Sequence, residues 1–325
     1  MKIYITADMM WGTGQKFLLG WIHGFVGEAI KAATGIMPQR LETPDGYCPT
    51  HSQWLSQWNP VTPSWHLSRI KKDDVVIGME MPPNYMHQMK LYNRKFVNLI
   101  MHPVKYLDDL VWGVKTNLCD LKPRITEEKF CIGAGEIVGK IRRLLPPLGF
   151  APCTAVIMGQ ASFNPTVVRE CKMLALPMFE SRLKLIMRQH PSIYVKPHPA
   201  CPFDDATNEM LRDMRVSQTM ENSYRILSEE NVQTVCGIST SVLYEARYFG
   251  KESIFFANED RTDGFVPISH GEFCSQTFWA QMLQSVSSVK FPKYPEWINE
   301  TPNKLRSASG DWLAYGYVHN LGWRN

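Results

Sequence analysis

Short apolar runs alternate along the chain with segments whose apolar residues recur at helical spacing. In the first half the apolar runs predict buried strands over 2–7, 73–80 and 96–102. The segments with helical spacing predict helices over 15–33, 84–95 and 127–145. Strands that alternate with helices predict an α/β fold with a parallel sheet.

The segment 146–153 (PPLGFAPC) interrupts this alternation, and we predict a hinge there. Beyond it the pattern restarts, with strands predicted over 154–160, 192–199, 232–239 and 252–257. Helices are predicted over about 167–189, 204–213, 221–230 and 240–249. We therefore expect a first Rossmann-like domain over 1–148 and a second over 149–290. A C-terminal segment, 291–325, is expected to pack back on the first domain.

Composition excludes several classes of protein. The 325 residues are 44% hydrophobic and 20% charged, which is typical of a globular protein. Residues 1–150 carry 18 basic and 13 acidic side chains, and residues 151–325 carry 17 and 18. A mildly basic first half suits an anionic ligand or a membrane surface better than nucleic acid. No apolar run reaches the roughly 18–20 residues of a membrane span, so we expect a cytoplasmic protein.

Residues 36–68 are rich in proline, tryptophan and polar residues without a sustained period. This predicts a long loop, which in a compact domain is usually functional, and we expect it to face an acceptor. The eight cysteines stand singly with no CxxC pair, so a structural zinc site is not supported.

The sharpest local signal is YVKPHP at 194–199, where an apolar strand runs into Lys196, His198 and Pro199. Two prolines restrict this backbone, and one cation and one imidazole at a strand end suit a phosphate. The alternative is a structural turn with a solvated lysine.

A second signal follows in GISTSVLYEARYFGK at 237–251, where three hydroxyls stand at the start of a predicted helix. Ser239, Thr240 and Ser241 could cap that helix and bind an anion. Glu245 comes one turn later and could accept a hydrogen bond from a ribose hydroxyl. A surface salt bridge of Glu245 with Arg247 or Lys251 is the alternative.

In the first half, acidic, basic and imidazole side chains follow the predicted strands. Ligands of open α/β sheets bind outside the carboxyl ends of the strands. The candidates there are Glu80, His102, Lys105, Asp108 and Asp109. Their carboxylates could act as general base or nucleophile, or could cap helices. Gln160, which ends the first strand of the second half, could orient a substrate or cap the next helix.

Taken together, residues 73–257 resemble bacterial glycosyltransferases that use CMP-activated acidic sugars. They are most similar to the Kdo transferases of capsule and lipopolysaccharide assembly, with the bacterial sialyltransferases as cousins. The resemblance implies a GT-B-like fold, in which two Rossmann-like domains face each other across a cleft. The paired α/β units, without a GxGxxG after either first strand, agree with this expectation.

The resemblance also assigns roles. His198 and Pro199 would contact the CMP of the donor, and Ser239, Thr240 and Ser241 would bind its phosphate. Glu80, His102, Asp108 and Asp109 would form the acidic-sugar and acceptor site. The partners would be a CMP-activated acidic sugar and a surface glycan or glycolipid, with possible peripheral contact with the inner membrane and no nucleic acid.

We expect transfer of the sugar to require three functions of the protein. Lys196, His198 and the Ser239–Ser241 segment would stabilise the leaving phosphate. An acid among Glu80, Asp108 and Asp109 would take the acceptor proton, and Lys105 would hold the sugar carboxylate. No metal or other cofactor is expected, because the cations can balance a single phosphate.

One departure from the retaining Kdo transferases bears on mechanism. The stretch GQASFNPTVV at 159–168 has no acid before Glu170, where the resemblance implies a nucleophilic aspartate. The nucleophile and the stereochemical course therefore stay open, and a non-catalytic sugar-binding subunit of the same fold is an alternative. Two further alternatives are a CMP-sialic-acid-dependent sialyltransferase and a CDP-polyol-phosphate transferase, a class that resembles this layout and also has an HP-containing second domain.

Overall fold

The computed structural model describes residues 1–7, 12–42, 64–81, 83–107, 110–160, 167–169, 172–198, 201–257 and 262–286. The chain forms two compact units, each with its own sheet. The first unit comprises the described parts of 1–102, 109–125 and 262–303. The second comprises those of 103–108 and 126–261.

The first unit is built on a six-stranded sheet in the order β13-β5-β4-β3-β1-β2. Its strands are β1 (Ile3–Ala7), β2 (Gln39–Arg40), β3 (Val75–Met79), β4 (Lys95–Met101), β5 (Val111–Thr116) and β13 (Val266–Ser269). Its helices are α1 (Gly12–Thr34), α2 (Ser64–Arg69), α3 (Pro83–Leu91), α9 (His270–Phe273) and α10 (Gln276–Leu283). The first four strands run parallel, whereas β5 and β13 are antiparallel to their neighbours.

The second unit has a five-stranded sheet in the order β10-β9-β6-β11-β12, parallel throughout. These strands are β6 (Thr154–Met158), β9 (Ser192–Lys196), β10 (Ser217–Gln218), β11 (Val232–Gly237) and β12 (Glu252–Phe255). A separate hairpin pairs β7 (Val168–Arg169) with β8 (Lys172–Met173). The helices are α4 (Glu127–Leu144), α5 (Glu180–Gln189), α6 (Asp205–Asp213), α7 (Ser223–Ser228) and α8 (Ser241–Ala246). Leu176–Phe179 and Arg247–Phe249 are 3-10 turns.

Local sequence explains why these elements form. In α4 the Thr126 side chain caps the helix by accepting from Lys129 N, and acids in the first turn with arginines in the last complement the helix dipole. The buried residues of α4 recur at helical spacing and are Phe130, Ala134, Ile137 and Ile141. Strands β1, β3 and β6 are buried at every position, as expected for parallel strands covered on both faces.

The predicted α/β class with two parallel-rich sheets is confirmed, with three local corrections. The wholly parallel first sheet was wrong, because two strands that were not predicted, β5 and β13, pair antiparallel with their neighbours. The helix over 167–189 was wrong in its first half, where a hairpin and a 3-10 turn with Pro177 in its first turn precede α5. The helix over 84–95 ends at Leu91, because Asn93 takes a left-handed φ of 52°.

The two units divide the chain differently from the predicted domains. Residues 103–107, assigned from sequence to the first domain, group with the second unit, and 262–286 group with the first. The segment 291–325 lies outside the described residues, and so does 43–63 of the predicted long loop. None of the helices that the structure describes is long and apolar enough to span a membrane.

Candidate functional site

Three neighbouring strand ends of the second unit bring candidate residues together. Strand β6 lies between β9 and β11, with Met158 paired to both Lys196 and Gly237. Because all three strands are parallel, the residues that follow them share the carboxyl edge of the sheet. These residues include Gln160 after β6, His198 after β9 and Ser239–Ser241 after β11.

Two glycines allow the strand ends to approach closely. Gly159 N donates to Lys196 O at 2.7 Å. A Cβ on Gly159 would lie 2.8 Å from His198 N and 2.9 Å from Lys196 O. A Cβ on Gly237 would lie 2.8 Å from Met158 O. Since backbone atoms cannot withdraw as a flexible side chain can, this edge requires glycine at both positions.

Gln160 joins two of the strand ends. Its Oε1 accepts from Ser239 N at 3.0 Å and from Ser239 Oγ at 3.1 Å. Gln160 is half-buried and Ser239 is buried. The side chain of Gln160 therefore positions the start of the Ser239–Ser241 segment, and its direct contact with a substrate stays a prediction.

Lys196, the last residue of β9, is a buried cation at this edge. Only 7% of the residue is exposed, and no carboxylate of the described residues forms an ion pair with it. Burial lowers the pKa of its ammonium group, while the more distant charge of Glu221 raises it. An anion bound beside Lys196 would relieve the cost of holding this charge away from water.

His198 is half-buried two residues further on. Its carbonyl accepts from Cys201 N at 3.1 Å. Burial lowers the pKa of its imidazole, and the charge of Lys196 lowers it further. A neutral imidazole at neutral pH can donate one hydrogen bond without adding a second positive charge. Pro199 lies outside the described residues.

The Ser239–Ser241 segment carries hydroxyl groups into the same edge. Thr240 is the N-cap residue of the six-residue helix α8, but its side chain makes no capping hydrogen bond. The predicted capping of this helix by Thr240 was therefore wrong. Ser239 and Thr240 are buried and Ser241 is half-buried.

Glu245 has a different environment from the predicted ribose site. Only 2% of the residue is exposed, and its Oε1 accepts from Lys105 N at 2.7 Å and from Tyr224 Oη at 3.0 Å. Burial raises the pKa of this carboxyl group to about 7, against the lowering effect of those two hydrogen bonds. The carboxyl group of Glu245 thus accepts hydrogen bonds inside the second unit, and its contact with a ribose stays a prediction.

The segment that carries Lys105 is fixed to the second unit by its neighbours. Tyr106 Oη donates to Phe130 O at 2.9 Å, and its ring meets those of Tyr224 and Phe249 edge to face. Lys105 therefore lies beside α8 in the second unit, whereas its position in the sequence predicted the first domain. Sequence reasoning missed Tyr106 and Tyr224, because an aromatic residue within an apolar pattern gives no separate signal.

The first unit holds the remaining candidates that the structure describes. Glu80 follows β3, is exposed and has a left-handed φ of 54°. Its backbone N donates to Leu99 O at 2.7 Å. His102 follows β4, is 5% exposed, and its backbone N donates to Val111 O at 3.0 Å. Asp108 and Asp109 lie outside the described residues.

In the part of the chain that the structure describes, no three His, Cys, Asp or Glu side chains converge closely enough to hold a metal ion.

Solved structures of bacterial transferases resemble this chain. One is described as Thermosulfurimonas dismutans KpsC, beta Kdo 2,7 transferase, with 13% identity and a TM-score of 0.44, covering 87% of this chain and 99% of that one. Another, described as Thermosulfurimonas dismutans KpsC, beta Kdo 2,4 transferase, has 13% identity and a TM-score of 0.39, with coverages of 79% and 81%. No protein-family model and no curated protein sequence matches the chain.

Proposed function

We propose that this chain is a glycosyltransferase that moves an acidic ulosonic sugar, Kdo in the first instance, from its CMP-activated donor. The acceptor would be a bacterial surface glycan or glycolipid. The proposal combines the residue-level resemblance of the HP and Ser/Thr segments with the convergence of these segments at one sheet edge.

The observation that carries the proposal is the environment of Lys196. A buried ammonium group without a carboxylate ion-pair partner in the described residues is expensive unless a ligand supplies the negative charge. The donor phosphodiester carries one negative charge, and the departing CMP gains a second. Lys196 would therefore bind the leaving phosphate more strongly as the glycosidic bond breaks.

The neighbouring groups would complete the phosphate site. The imidazole of His198 would donate a hydrogen bond to a phosphate oxygen, and the hydroxyls of Thr240 and Ser241 would donate others. Gln160 would act indirectly by positioning Ser239. Pro199 would restrict the backbone beyond His198.

The acceptor side of the proposal rests on the resemblance. Glu80, Asp108 or Asp109 would take the proton of the acceptor hydroxyl, and His102 would contribute to that site. Lys105 would attract the carboxylate of the ulosonic sugar. Glu245 would hold the backbone of Lys105, so a positioning role replaces the ribose contact that its sequence position suggested.

CMP binding and CMP release test the donor side. Replacing Lys196 by alanine should weaken CMP binding about 10- to 100-fold, as expected for losing a hydrogen bond to a charged group, in a calorimetric titration. Lys184→Ala provides a control, because Lys184 is a surface lysine paired with Glu180 at its own helix. CMP binding that is equal in both variants would contradict the proposal.

Turnover separates the donor classes. The protein should release CMP from CMP-Kdo in the presence of a lipopolysaccharide-type acceptor, and His198→Ala should abolish that release. His87→Ala, at an exposed position of α3, is the matched control. Release from CMP-Neu5Ac alone would indicate a sialyltransferase, and release from a CDP-linked polyol would indicate a polyol-phosphate transferase. Reversible loss of activity in EDTA would contradict the expectation that cations alone balance the phosphate.

A non-catalytic subunit is the second candidate. It is favoured by the missing acid between Gln160 and Glu170. Tight CMP binding without turnover of any donor would support it.

A further inference from the structure

Two large apolar side chains protrude together from the first unit. Leu91 is 63% exposed and Tyr92 is 58% exposed, at the end of α3 and just before β4. Exposing two adjacent side chains of this size to water costs free energy, so the pair is a candidate for an interaction surface.

Their backbone is firmly held. Tyr92 N donates to Gln88 O, Asn93 N to Lys90 O and Arg94 N to Met89 O, at 3.0, 3.0 and 2.7 Å. Asn117 Nδ2 also donates to Arg94 O at 2.8 Å, and Phe96 N donates to Asn117 Oδ1 at 2.9 Å. The apolar pair therefore sits on an ordered turn that displays it.

Cations surround this turn. Lys90 and Arg94 flank the apolar pair in sequence, and Lys71 and Lys72 stand in the turn before β3. Strands β3 and β4 are parallel neighbours, and Val75 pairs with Lys95. The two turns therefore lie side by side at the amino edge of the sheet, since neighbouring strands are about 5 Å apart.

Acidic side chains do little to balance these cations. Asp73 is the exposed carboxylate of the turn before β3. Asp74 is 2% exposed, and it accepts from Lys2 N at 2.6 Å and from Lys71 N at 2.9 Å. Asp74 thus shapes the turn and presents little charge to the outside. The stretch 88–96 has no acidic residue.

We propose that this surface docks on an anionic lipid membrane. We call it the amino-edge surface, and it consists of Lys71, Lys72, Lys90, Leu91, Tyr92 and Arg94. Leu91 and Tyr92 enter the boundary between headgroups and acyl chains, where an amphipathic tyrosine ring is well accommodated. The exposed lysines extend toward lipid phosphates, and the half-buried Arg94 adds its charge to the same surface. Charge complementarity together with a protruding apolar pair favours a membrane over a soluble polyanion, which would contact the cations alone.

Vesicle flotation of the full chain tests the proposal. The probes are vesicles of phosphatidylcholine alone and of phosphatidylcholine with phosphatidylglycerol at about three to one. We expect flotation with the anionic vesicles and none with the neutral ones. Lys71→Gln/Lys72→Gln should weaken partitioning about tenfold or more, because each cation near the surface contributes. Leu91→Ser/Tyr92→Ser should weaken it to a similar degree.

The matched control is Met178→Ser/Leu185→Ser, which removes two apolar side chains that are 58% and 56% exposed in the second unit. This variant should float like the parent protein. The proposal is overturned if anionic vesicles do not bind the parent, or if the control loses as much binding as the amino-edge variants. Full binding by Leu91→Ser/Tyr92→Ser would also overturn it, because the surface would then be a general polyanion site. No donor is present in this assay, so its failure is separate from failure of the proposed function.

Discussion

The carboxyl edges of the two sheets differ in how much of each strand end is left for a ligand. In the second unit three parallel strands end together, and the buried residues at this edge include Lys196, the last residue of β9, and Thr240, which follows β11. In the first unit the antiparallel strand β5 returns at this edge, and Val111 O accepts the backbone N–H of His102. The returning strand β5 thus occupies the end of β4 with hydrogen bonds inside the protein. Where neighbouring strands are all parallel, the loops that follow them remain available to form a site.

The largest expected effect comes from disrupting the close packing at the carboxyl edge of the second unit's sheet. Gly159→Ala should lower the free energy of unfolding by about 3 kcal/mol or more, because its Cβ would meet the backbone of Lys196 and His198. Gly78→Ala in the first unit should cost less, about 1–2 kcal/mol, since the nearest atoms there belong to the side chains of Met81 and Thr6 and not to the backbone. Urea unfolding measures both.

Gly135→Ala is the control for these variants. Gly135 lies within α4, and an added Cβ meets nothing within 4 Å. Alanine there should stabilise the protein by about 0.5–1 kcal/mol. Equal losses in Gly159→Ala and Gly78→Ala would contradict the difference between the two edges.

The next largest effect concerns the pH dependence of stability, and it contrasts the buried carboxyl group of Glu245 in the second unit with the exposed one of Glu80 in the first. The pKa of Glu245 is raised to about 7 from an ordinary value of 4.5, so the folded state favours the protonated form. Its protonation stabilises the fold fully below pH 4.5, and this contribution is lost as pH rises through about 7. The full loss is about 3 kcal/mol by pH 8. Glu245→Gln should therefore flatten the pH dependence of stability between pH 5 and 8.

Urea titrations at these two pH values measure this difference. Glu80→Gln in the first unit is the control, because Glu80 is exposed. Its stability should stay within about 0.5 kcal/mol of the parent at both pH values. If Glu245→Gln kept the pH dependence of the parent, the buried carboxyl group would not be its source.

The smallest expected effect concerns two side-chain amides, each of which accepts a backbone N–H from the residue segment that follows a neighbouring strand. In the first unit Asn98, 1% exposed, accepts from Met81 N at 2.9 Å through Oδ1. Asn98→Ala should cost about 2 kcal/mol, because it leaves a buried N–H without a partner. Gln160→Ala should cost about 1 kcal/mol, since Gln160 is half-buried and water can replace part of its bonding.

CMP affinity separates the two amides. Gln160→Ala should weaken CMP binding, because Ser239 loses its position, while Asn98→Ala should leave it unchanged. Calorimetric titration of CMP into both variants measures this. The reverse pattern would contradict the proposed donor site in the second unit.

Several elements could be predicted from local sequence because they depend on local physics. The apolar runs of β3, β4 and β6 and the spacing of α4 are visible directly. Proline and a left-handed asparagine altered the expected ends of two helices, and short 3-10 turns have no periodic signal. Strand β5 was missed, since nothing in the local sequence shows that the chain turns back after β4 to form a single antiparallel strand.

The sequence by itself determined which residues are available for chemistry. YVKPHP and the run from Ser239 to Ser241 stand after apolar strands, and parallel strands must end at one edge. Only the tertiary structure decided which of these groups are buried and what they bind. It placed Glu245 against Lys105 N and Tyr224, and it put Lys105 in the second unit. The contact between Glu245 and Lys105 joins residues 140 positions apart, and local patterns carry no information about such a pair.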